Sequence, residues 1–271
     1  MNVKKIITLN NGVRMPSLGL GVFKIPKGAK TEESVISALK AGYRMIDTAA
    51  FYGNEVDVGR AIDKSGIPRN EVFVTTKLHP LRIFNIKSAF HASLKRLGLD
   101  YIDLYLIHWP FLRTNHIWKE LENIYTQGYV RSIGVSNFGV KDLQTLINES
   151  KIIPAVNQVE FHPFIYRNKL LSYCVAHRIV VEAHSPLTHG KRLDNQIIKE
   201  LAKKYNKSES QIMIRWALQH GAVVIPKSTR KDHIKQNIRV FNFTINKKDM
   251  IILDNLSENY HVAWISKILN R

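Results

Sequence analysis

Asp47 and Tyr52 lie close together where a buried strand, Met45-Ile46, turns polar and a loop runs on to a helix opened by Asn54-Glu55. A carboxylate and a phenol at one mouth of an α/β layer are groups that proton transfer requires. Taken alone, they also suit a plainer role, with Asp47 capping backbone amides and Tyr52 packing as a half-buried aromatic. Lys77 and His108 shift that balance. Lys77 follows Val72-Phe73-Val74-Thr75-Thr76, and His108 follows Leu104-Tyr105-Leu106-Ile107. A lysine at the end of so apolar a run needs an anionic partner, and Asp47 supplies one. The reference pKa of tyrosine is near 10, and an ammonium beside Tyr52 is expected to lower it by stabilising the phenolate. A neutral His108 could hydrogen-bond a carbonyl oxygen and orient it toward the phenol. General acid catalysis of this kind contributes roughly 10² to 10⁴ in rate; the rest must come from positioning and a redox cofactor.

The elements that must hold these groups alternate. Ile6 to Leu9 and Val13 to Met15 flank Asn10-Asn11-Gly12, a hairpin turn that acts as a lid. A glycine-containing strand is expected over Leu18 to Phe23. Helix follows from Thr31 to Ala41, capped by Thr31, and then the Met45 strand. Helices are expected over Asn54–Ser65, Ile86–Leu97, Ile117–Gln127, Lys141–Glu149 and Lys169–His177. The strands between them are Val72–Leu78, Ile102–Trp109, Ser132–Asn137, Val156–Phe161 and Ile179–Ser185. Two helices, Gln196–Tyr205 and Glu209–Gln219, precede a last strand, Ala222–Lys227, and helices near Asp232–Ile238 and Lys247–Leu256 follow. Short apolar strands alternating with helices imply a parallel sheet covered on its faces. Eight such units in roughly 250 residues is the size of a (β/α)8 TIM barrel, here with an N-terminal β-hairpin and extra helices. An open doubly wound sheet is the rival architecture. With no linker or composition shift, residues 1–271 read as a single domain.

Active sites of such barrels sit at the C-terminal strand ends, and nearly every strand here ends in polar residues. They are Asp47, Lys77, His108, Ser136-Asn137, Gln158 with Glu160 beyond it, His184-Ser185 and Lys227-Ser228. Gly19-x-Gly21 lacks the third glycine and the following helix of a Rossmann fingerprint.

Bulk composition narrows the function classes. Hydrophobic residues make up 45% and charged residues 23% of the 271-residue chain, as in ordinary globular proteins. No apolar run reaches the roughly 18 residues of a membrane span. Lys4 and Lys5 are not followed by a signal-peptide core, and Cys174, the only cysteine, excludes an internal disulfide. Cys174 reads as plain helix core, and the expected compartment is the cytoplasm. The net charge of +18 comes from 40 Lys and Arg against 22 Asp and Glu, but the basic residues are scattered, with pairs such as Lys203-Lys204 the longest runs. That distribution argues against a dedicated nucleic-acid surface and suits a small phosphorylated ligand. No metal is expected.

With Asp47-Thr48-Ala49, Tyr52-Gly53-Asn54-Glu55, Leu104 to Pro110, Gly134 to Phe138 and Ile225-Pro226-Lys227-Ser228 in this order, the chain resembles the aldo-keto reductases. It resembles bacterial members of the diketogluconate reductase type. The resemblance runs from the Asn11-Gly12 hairpin to about Phe243. It implies an NAD(P)H-dependent oxidoreductase that reduces small aldehydes and ketones, such as dicarbonyls and keto esters, in a cytoplasmic monomer. It implies Asp47, Tyr52, Lys77 and His108 as the catalytic tetrad, with Tyr52 the general acid. Ser136, Asn137 and Gln158 match the nicotinamide-amide ligands, and Lys227, Ser228 and Asn237 the adenosine end, with Asp47 near the nicotinamide ribose. NADPH is favoured over NADH. Phe23, His79, His108 and Trp109 are expected to border the carbonyl.

Three departures stand out. His184, in Glu182-Ala183-His184-Ser185-Pro186, replaces the family's stacking tyrosine. A protonated imidazole there would repel oxidised nicotinamide, so His184→Tyr is expected to tighten NADP+ binding at mildly acidic pH. His233 stands where many members carry an arginine for the 2'-phosphate, with Arg230 and Lys227 as replacement charges. Gln236 stands where a glutamate is common at the adenine. A non-catalytic NADPH-binding barrel, acting as redox sensor or interaction subunit, is the alternative function; the full tetrad argues against it.

Overall fold

The structure is a computed structural model that describes residues 5–111 and 113–263. Eight parallel strands form one sheet, each beside its neighbour in the sequence: β3 (Leu20–Gly21), β4 (Met45–Asp47), β5 (Phe73–Leu78), β6 (Ile102–Ile107), β7 (Val130–Ser136), β8 (Val156–Glu160), β9 (Val180–His184) and β10 (Val223–Val224). Backbone bonds join the two edges. Gly19 donates to the Val224 carbonyl at 2.9 Å, Val224 to Ser17 at 2.9 Å, and Gly21 to Pro226 at 3.2 Å. The sheet is thus closed into a barrel, which leaves no edge strand to pair with another chain. Closure explains Gly21: a Cβ there would stand 2.9 Å from the Ile225 carbonyl oxygen.

Helices α1 (Ala29–Lys40), α2 (Glu55–Lys64), α3 (Ile86–Leu97), α4 (Thr114–Thr126), α5 (Val140–Glu149), α6 (Asn168–Ala176), α7 (Gln196–Tyr205), α8 (Glu209–Gln219), α9 (Lys231–Asn237) and α10 (Lys247–Asp254) complete the fold. Their ends follow local chemistry. The Asn85 side chain accepts from the Ser88 amide to open α3, and Gly98 closes that helix at φ 64. Ser208 and Gln211 form a reciprocal capping box at α8.

Two apolar regions hold the layers together. One lies between barrel and helices and includes Trp118, Phe161 and Trp216. The other fills the barrel with Met45, Phe73, Leu104, Leu106, Val156, Val223 and Ile225. Leu9 and Met15, carried by hairpin strands β1 (Ile6–Thr8) and β2 (Arg14–Pro16), belong to this second region. The hairpin is fastened by Asn10 to the Pro154 carbonyl at 3.1 Å and by Asn11 to the Arg131 carbonyl at 2.9 Å. These bonds put the lid over the N-terminal end of the barrel, leaving the opposite mouth for chemistry.

Three local expectations are corrected. Thr31 does not cap α1: the helix starts at Ala29, Gly28 takes φ 83 and gives its amide to Asp57 Oδ2 at 2.8 Å, and Thr31 Oγ1 turns to the Pro26 carbonyl. The first barrel strand is confined to Leu20–Gly21. The last is only Val223–Val224, because Pro226 has no amide with which to continue the ladder, so Lys227 lies beyond the strand and is exposed.

Candidate active site

β5 carries Lys77, whose side chain is 0% exposed, into the barrel mouth. Its Nζ donates to Asp47 Oδ1 and Oδ2, each at 2.8 Å, and to the Thr48 carbonyl at 2.8 Å. Its remaining neighbour is the Tyr52 hydroxyl at 3.3 Å. Tyr52 arrives from a short 3-10 turn, Ala50–Tyr52, ended by Gly53 at φ 68. Asn54 fixes the following bend, accepting from Thr48 Oγ1 at 2.8 Å and donating to the Val22 carbonyl at 3.1 Å. His108, one residue past β6, is buried and meets the Tyr52 ring edge-on at 5.8 Å between centroids.

The electrostatics follow from burial. Burial opposes the charged Lys77 ammonium, but Asp47, Tyr52 and Glu182 outweigh it and hold its pKa above the ordinary lysine value. Burial pushes the Tyr52 phenol up to about 12, with Lys77 pulling the other way. The expected net lowering is therefore overturned: desolvation of the hydroxyl exceeds the attraction of an ammonium already shared with Asp47. Lys77 limits the rise, and the phenol stays protonated at neutral pH. Burial, then Lys77, His184 and His79, hold His108 well below the usual histidine range. It is a neutral imidazole, and its Nδ1 has no partner among the described residues.

The neighbouring strand ends carry a second group. Asn137 and Ser185, just past β7 and β9, take the left-handed conformation at φ 64 and φ 52. A non-glycine residue there is unusual and clusters at ligand sites. Asn137 donates to the His108 carbonyl at 3.1 Å and to Ser136 Oγ at 3.0 Å, so its own oxygen faces His184 Nε2 at 3.1 Å. His184 Nε2 is therefore the protonated nitrogen, and Nδ1 accepts from Ser185 Oγ at 3.2 Å. Gln158 donates through Nε2 to Asp47 Oδ2 at 2.8 Å and to Glu182 Oε2 at 2.8 Å.

His184 corrects a second expectation. Burial, with Lys77, Arg167 and His162 and against Glu160, lowers its pKa to about 3. It stays neutral under mildly acidic conditions, so the expected acid-dependent advantage of His184→Tyr loses its premise.

Phe23 packs on the Tyr52 ring at 4.9 Å and Trp109 on His108 at 4.3 Å. His79 joins this rim through Phe51, 5.7 Å away, and its Nδ1 accepts the Leu81 amide at 3.1 Å, which leaves Nε2 as the protonated nitrogen. Phe51 went unrecognised in the sequence. It is 47% exposed and also faces His108 at 6.2 Å and Trp109 at 5.7 Å. Its position directly before Tyr52 was the available signal.

Lys227, Arg230 and His233 are exposed on the segment from the end of β10 into α9, apart from the tetrad. Ser228 and Asn237 on the same segment are buried, and the Asn237 Oδ1 has no partner among the described residues. An orphaned buried acceptor beside exposed cations, together with an amide-and-imidazole shelf at Asn137, Gln158 and His184, fits a dinucleotide with a polar base and phosphates. Among the described residues, no group of His, Cys, Asp and Glu could hold a metal, and no helix is long and apolar enough to cross a membrane.

A parallel barrel with a buried ammonium–carboxylate pair beneath a phenol and a neutral imidazole belongs to the barrel oxidoreductases that act on carbonyl groups. The comparisons narrow that class. The Aldo/keto reductase family matches residues 17–258. Glyoxal reductase of Bacillus subtilis is 46% identical over 97% of this chain and 96% of its own length. Methylglyoxal reductase DkgA of Yersinia pestis is 44% identical over 94% of each chain. Among solved structures, the deep-sea metagenome aldo-keto reductase MGS-M4 superposes with a TM-score of 0.91 at 44% identity, covering 94% of this chain and 96% of its own. The Bombyx mori aldo-keto reductase in complex with NADP gives 0.91 at 35% identity, covering 97% and 95%. The chain belongs to the aldo/keto reductase family, and it is an NAD(P)H-dependent oxidoreductase acting on carbonyls.

Proposed function

We propose that the protein reduces small α-dicarbonyls, of the glyoxal and methylglyoxal kind, to hydroxycarbonyls with NADPH, and that Tyr52 is the general acid. NADPH, when bound, supplies the hydride to the carbonyl carbon. The Tyr52 hydroxyl gives its proton to the carbonyl oxygen, and the phenolate that remains faces the Lys77 ammonium. Asp47 keeps that ammonium charged and in place. Neutral His108 donates a hydrogen bond to the same oxygen and orients it. Ser136, Asn137 and Gln158 would hold the nicotinamide amide and Asp47 its ribose; His184, fixed by Ser185 at 3.2 Å, would serve the ring. Lys227, Ser228, Arg230, His233 and Asn237 serve the adenosine phosphate end. Phe23, Phe51, His79 and Trp109 wall a small, open carbonyl site.

The observation that carries this reading is the Tyr52 hydroxyl 3.3 Å from a lysine bonded to both oxygens of Asp47. The likeness to a glyoxal reductase and a methylglyoxal reductase supports the substrate class. The protein is taken to act as a single-domain cytoplasmic monomer. NADPH consumption with glyoxal, methylglyoxal and simple aldehydes tests the proposal. Tyr52→Phe should lose turnover and keep NADPH binding. Turnover that survives in Tyr52→Phe sinks the general-acid assignment, and wild-type NADPH binding without turnover on any carbonyl favours a sensor.

A further inference from the structure

Glu182 is 0% exposed, in mid-strand on β9, and its register partners are Gln158 on β8 and Val223 on β10. A carboxyl inside an apolar barrel needs a reason, since burial without full pairing is costly. One of its oxygens takes a hydrogen from Gln158 Nε2 at 2.8 Å; the other has no partner among the described residues. The second hydrogen of the same amide goes to Asp47 at 2.8 Å. Glu182 and Asp47 therefore grip one amide nitrogen from two sides. As a carboxylate Asp47 only accepts, so it demands the amide nitrogen, and Glu182 takes that nitrogen's second hydrogen; the Gln158 carbonyl oxygen bonds to neither carboxyl.

The titratable groups facing Glu182 are few. β4 contributes Asp47, β5 contributes Lys77 and the loop after β4 contributes Tyr52, while Gln158 is neutral and Val223 apolar. Burial first, and then the Asp47 charge, raise the Glu182 pKa to about 8, against Gln158 and Lys77. Glu182 is thus a neutral acid at pH 7, with an unpartnered oxygen available to carry the proton. Its ionised charge is one of the causes that hold the Tyr52 pKa up.

We propose that Glu182 is a positioning residue of the carbonyl reductase site: it locks the Gln158 amide for the nicotinamide, and its charge state sets how well Lys77 supports a Tyr52 phenolate. The proposal rests on the reductase reading above. While Glu182 is neutral, Asp47 carries the only buried negative charge near Lys77 among the described residues. When it ionises, Lys77 is shared between two carboxylates and the phenolate is less well supported, so reduction slows.

Wild type, Glu182→Gln and Glu182→Leu separate these effects. The wild-type kcat for dicarbonyl reduction should fall above pH 8, whereas E182Q, which cannot ionise yet still accepts from Gln158, should lose that limb. E182L removes the acceptor and should weaken NADPH binding, measured by fluorescence quenching, several-fold more than E182Q does. Melting of the cofactor-free proteins gives a reading independent of turnover. An acid whose folded pKa exceeds its unfolded one costs stability increasingly as pH rises from the unfolded value to the folded one. E182Q should therefore gain melting temperature over wild type as pH rises from 5 to 8, and the two should converge near pH 4. An unchanged alkaline limb in E182Q, a pH-independent melting difference, or E182L binding NADPH as wild type does would each overturn the proposal. If wild type shows no turnover, the reductase reading fails, and the melting and binding arms still decide the role of Glu182. If E182L does not fold, E182Q decides it alone.

Discussion

Lys77 Nζ stands 3.3 Å from the Tyr52 hydroxyl while it is held at 2.8 Å by each oxygen of Asp47. The ammonium is thus neutralised from below and faces the phenol above, and it limits a pKa that burial pushes up to about 12. Lys77→Met removes the only cation that touches the hydroxyl among the described residues and leaves Asp47 as an unpaired buried carboxylate. We expect kcat to fall by about 10² to 10⁴, with a loss of melting temperature. Asp47→Asn should keep the fold better and reduce kcat by less, because an amide oxygen still accepts from Lys77. Comparable kcat in wild type and Lys77→Met, measured by NADPH absorbance, would refute the support of Tyr52 by Lys77.

His184 and His108 are both neutral imidazoles in the folded protein, His184 with a pKa of about 3 and His108 well below the usual range. In the unfolded chain they titrate near 6.5. The unfolded state therefore binds more protons below that value, and the stability these residues contribute is present above pH 6.5 and is lost as pH falls, for His184 toward its folded pKa of about 3. The His184 contribution can reach about 1.4 kcal/mol per pH unit in that window, less because solvent reaches part of the ring. His184→Phe should flatten the fall in urea midpoint between pH 6.5 and 4.5 relative to wild type. A parallel fall in both proteins would contradict a neutral His184. The ratio of NADP+ dissociation constants for His184→Tyr and wild type should stay flat from pH 5 to 7, which equilibrium titration measures directly.

How far the sequence reached depended on the kind of information each feature needs. Helix α3 was legible to the residue because Asn85 and Gly98 mark its ends locally. The polar strand ends were legible because alternation along a strand predicts which side chains face the barrel. The pKa of Tyr52 was not, since desolvation is a property of the assembled mouth, and the attraction of Lys77 could be read without it. Glu182 was missed for a related reason: its importance lies in sharing Gln158 with Asp47, a residue 111 positions away from that glutamine. The short β10 followed from Pro226, a signal present in the sequence but outweighed by the apolar run before it.

Cofactor choice turns on exposed side chains. Lys227, Arg230 and His233 are exposed near the buried Ser228, whose Oγ accepts the Arg230 amide at 3.1 Å. If these groups hold a 2'-phosphate, Arg230→Ala should raise the Michaelis constant for NADPH by about tenfold, from loss of a charge-assisted bond of roughly 1.5 to 3 kcal/mol, and leave that for NADH near its wild-type value. An Arg230→Ala protein whose Michaelis constant for NADPH equals that of wild type counts against Arg230 as a phosphate ligand.

Asp103 tests stability apart from chemistry. It is 1% exposed in β6 and accepts from Arg69 at 2.7 Å, Arg131 at 2.9 Å and the Val74 amide at 2.9 Å. Arg69 also lies over the Tyr101 ring at 4.1 Å and donates to the Tyr101 carbonyl, so one carboxylate ties β5, β6 and β7 together near their N-terminal ends. Asp103→Ala leaves a buried amide without an acceptor and a partly buried guanidinium without its counter-charge. The expected loss is about 3 kcal/mol, at the lower end for a broken buried pair because both arginines retain some access to water. Asp103→Asn should recover part of it, since its oxygen can still accept from Val74 or one arginine. Neither change touches the mouth, so kcat for dicarbonyl reduction at 25 °C should remain at the wild-type level in the folded fraction. Chemical denaturation followed by tryptophan fluorescence measures the loss, and a Asp103→Ala midpoint equal to that of wild type would show that the two arginines are held by something other than this carboxylate.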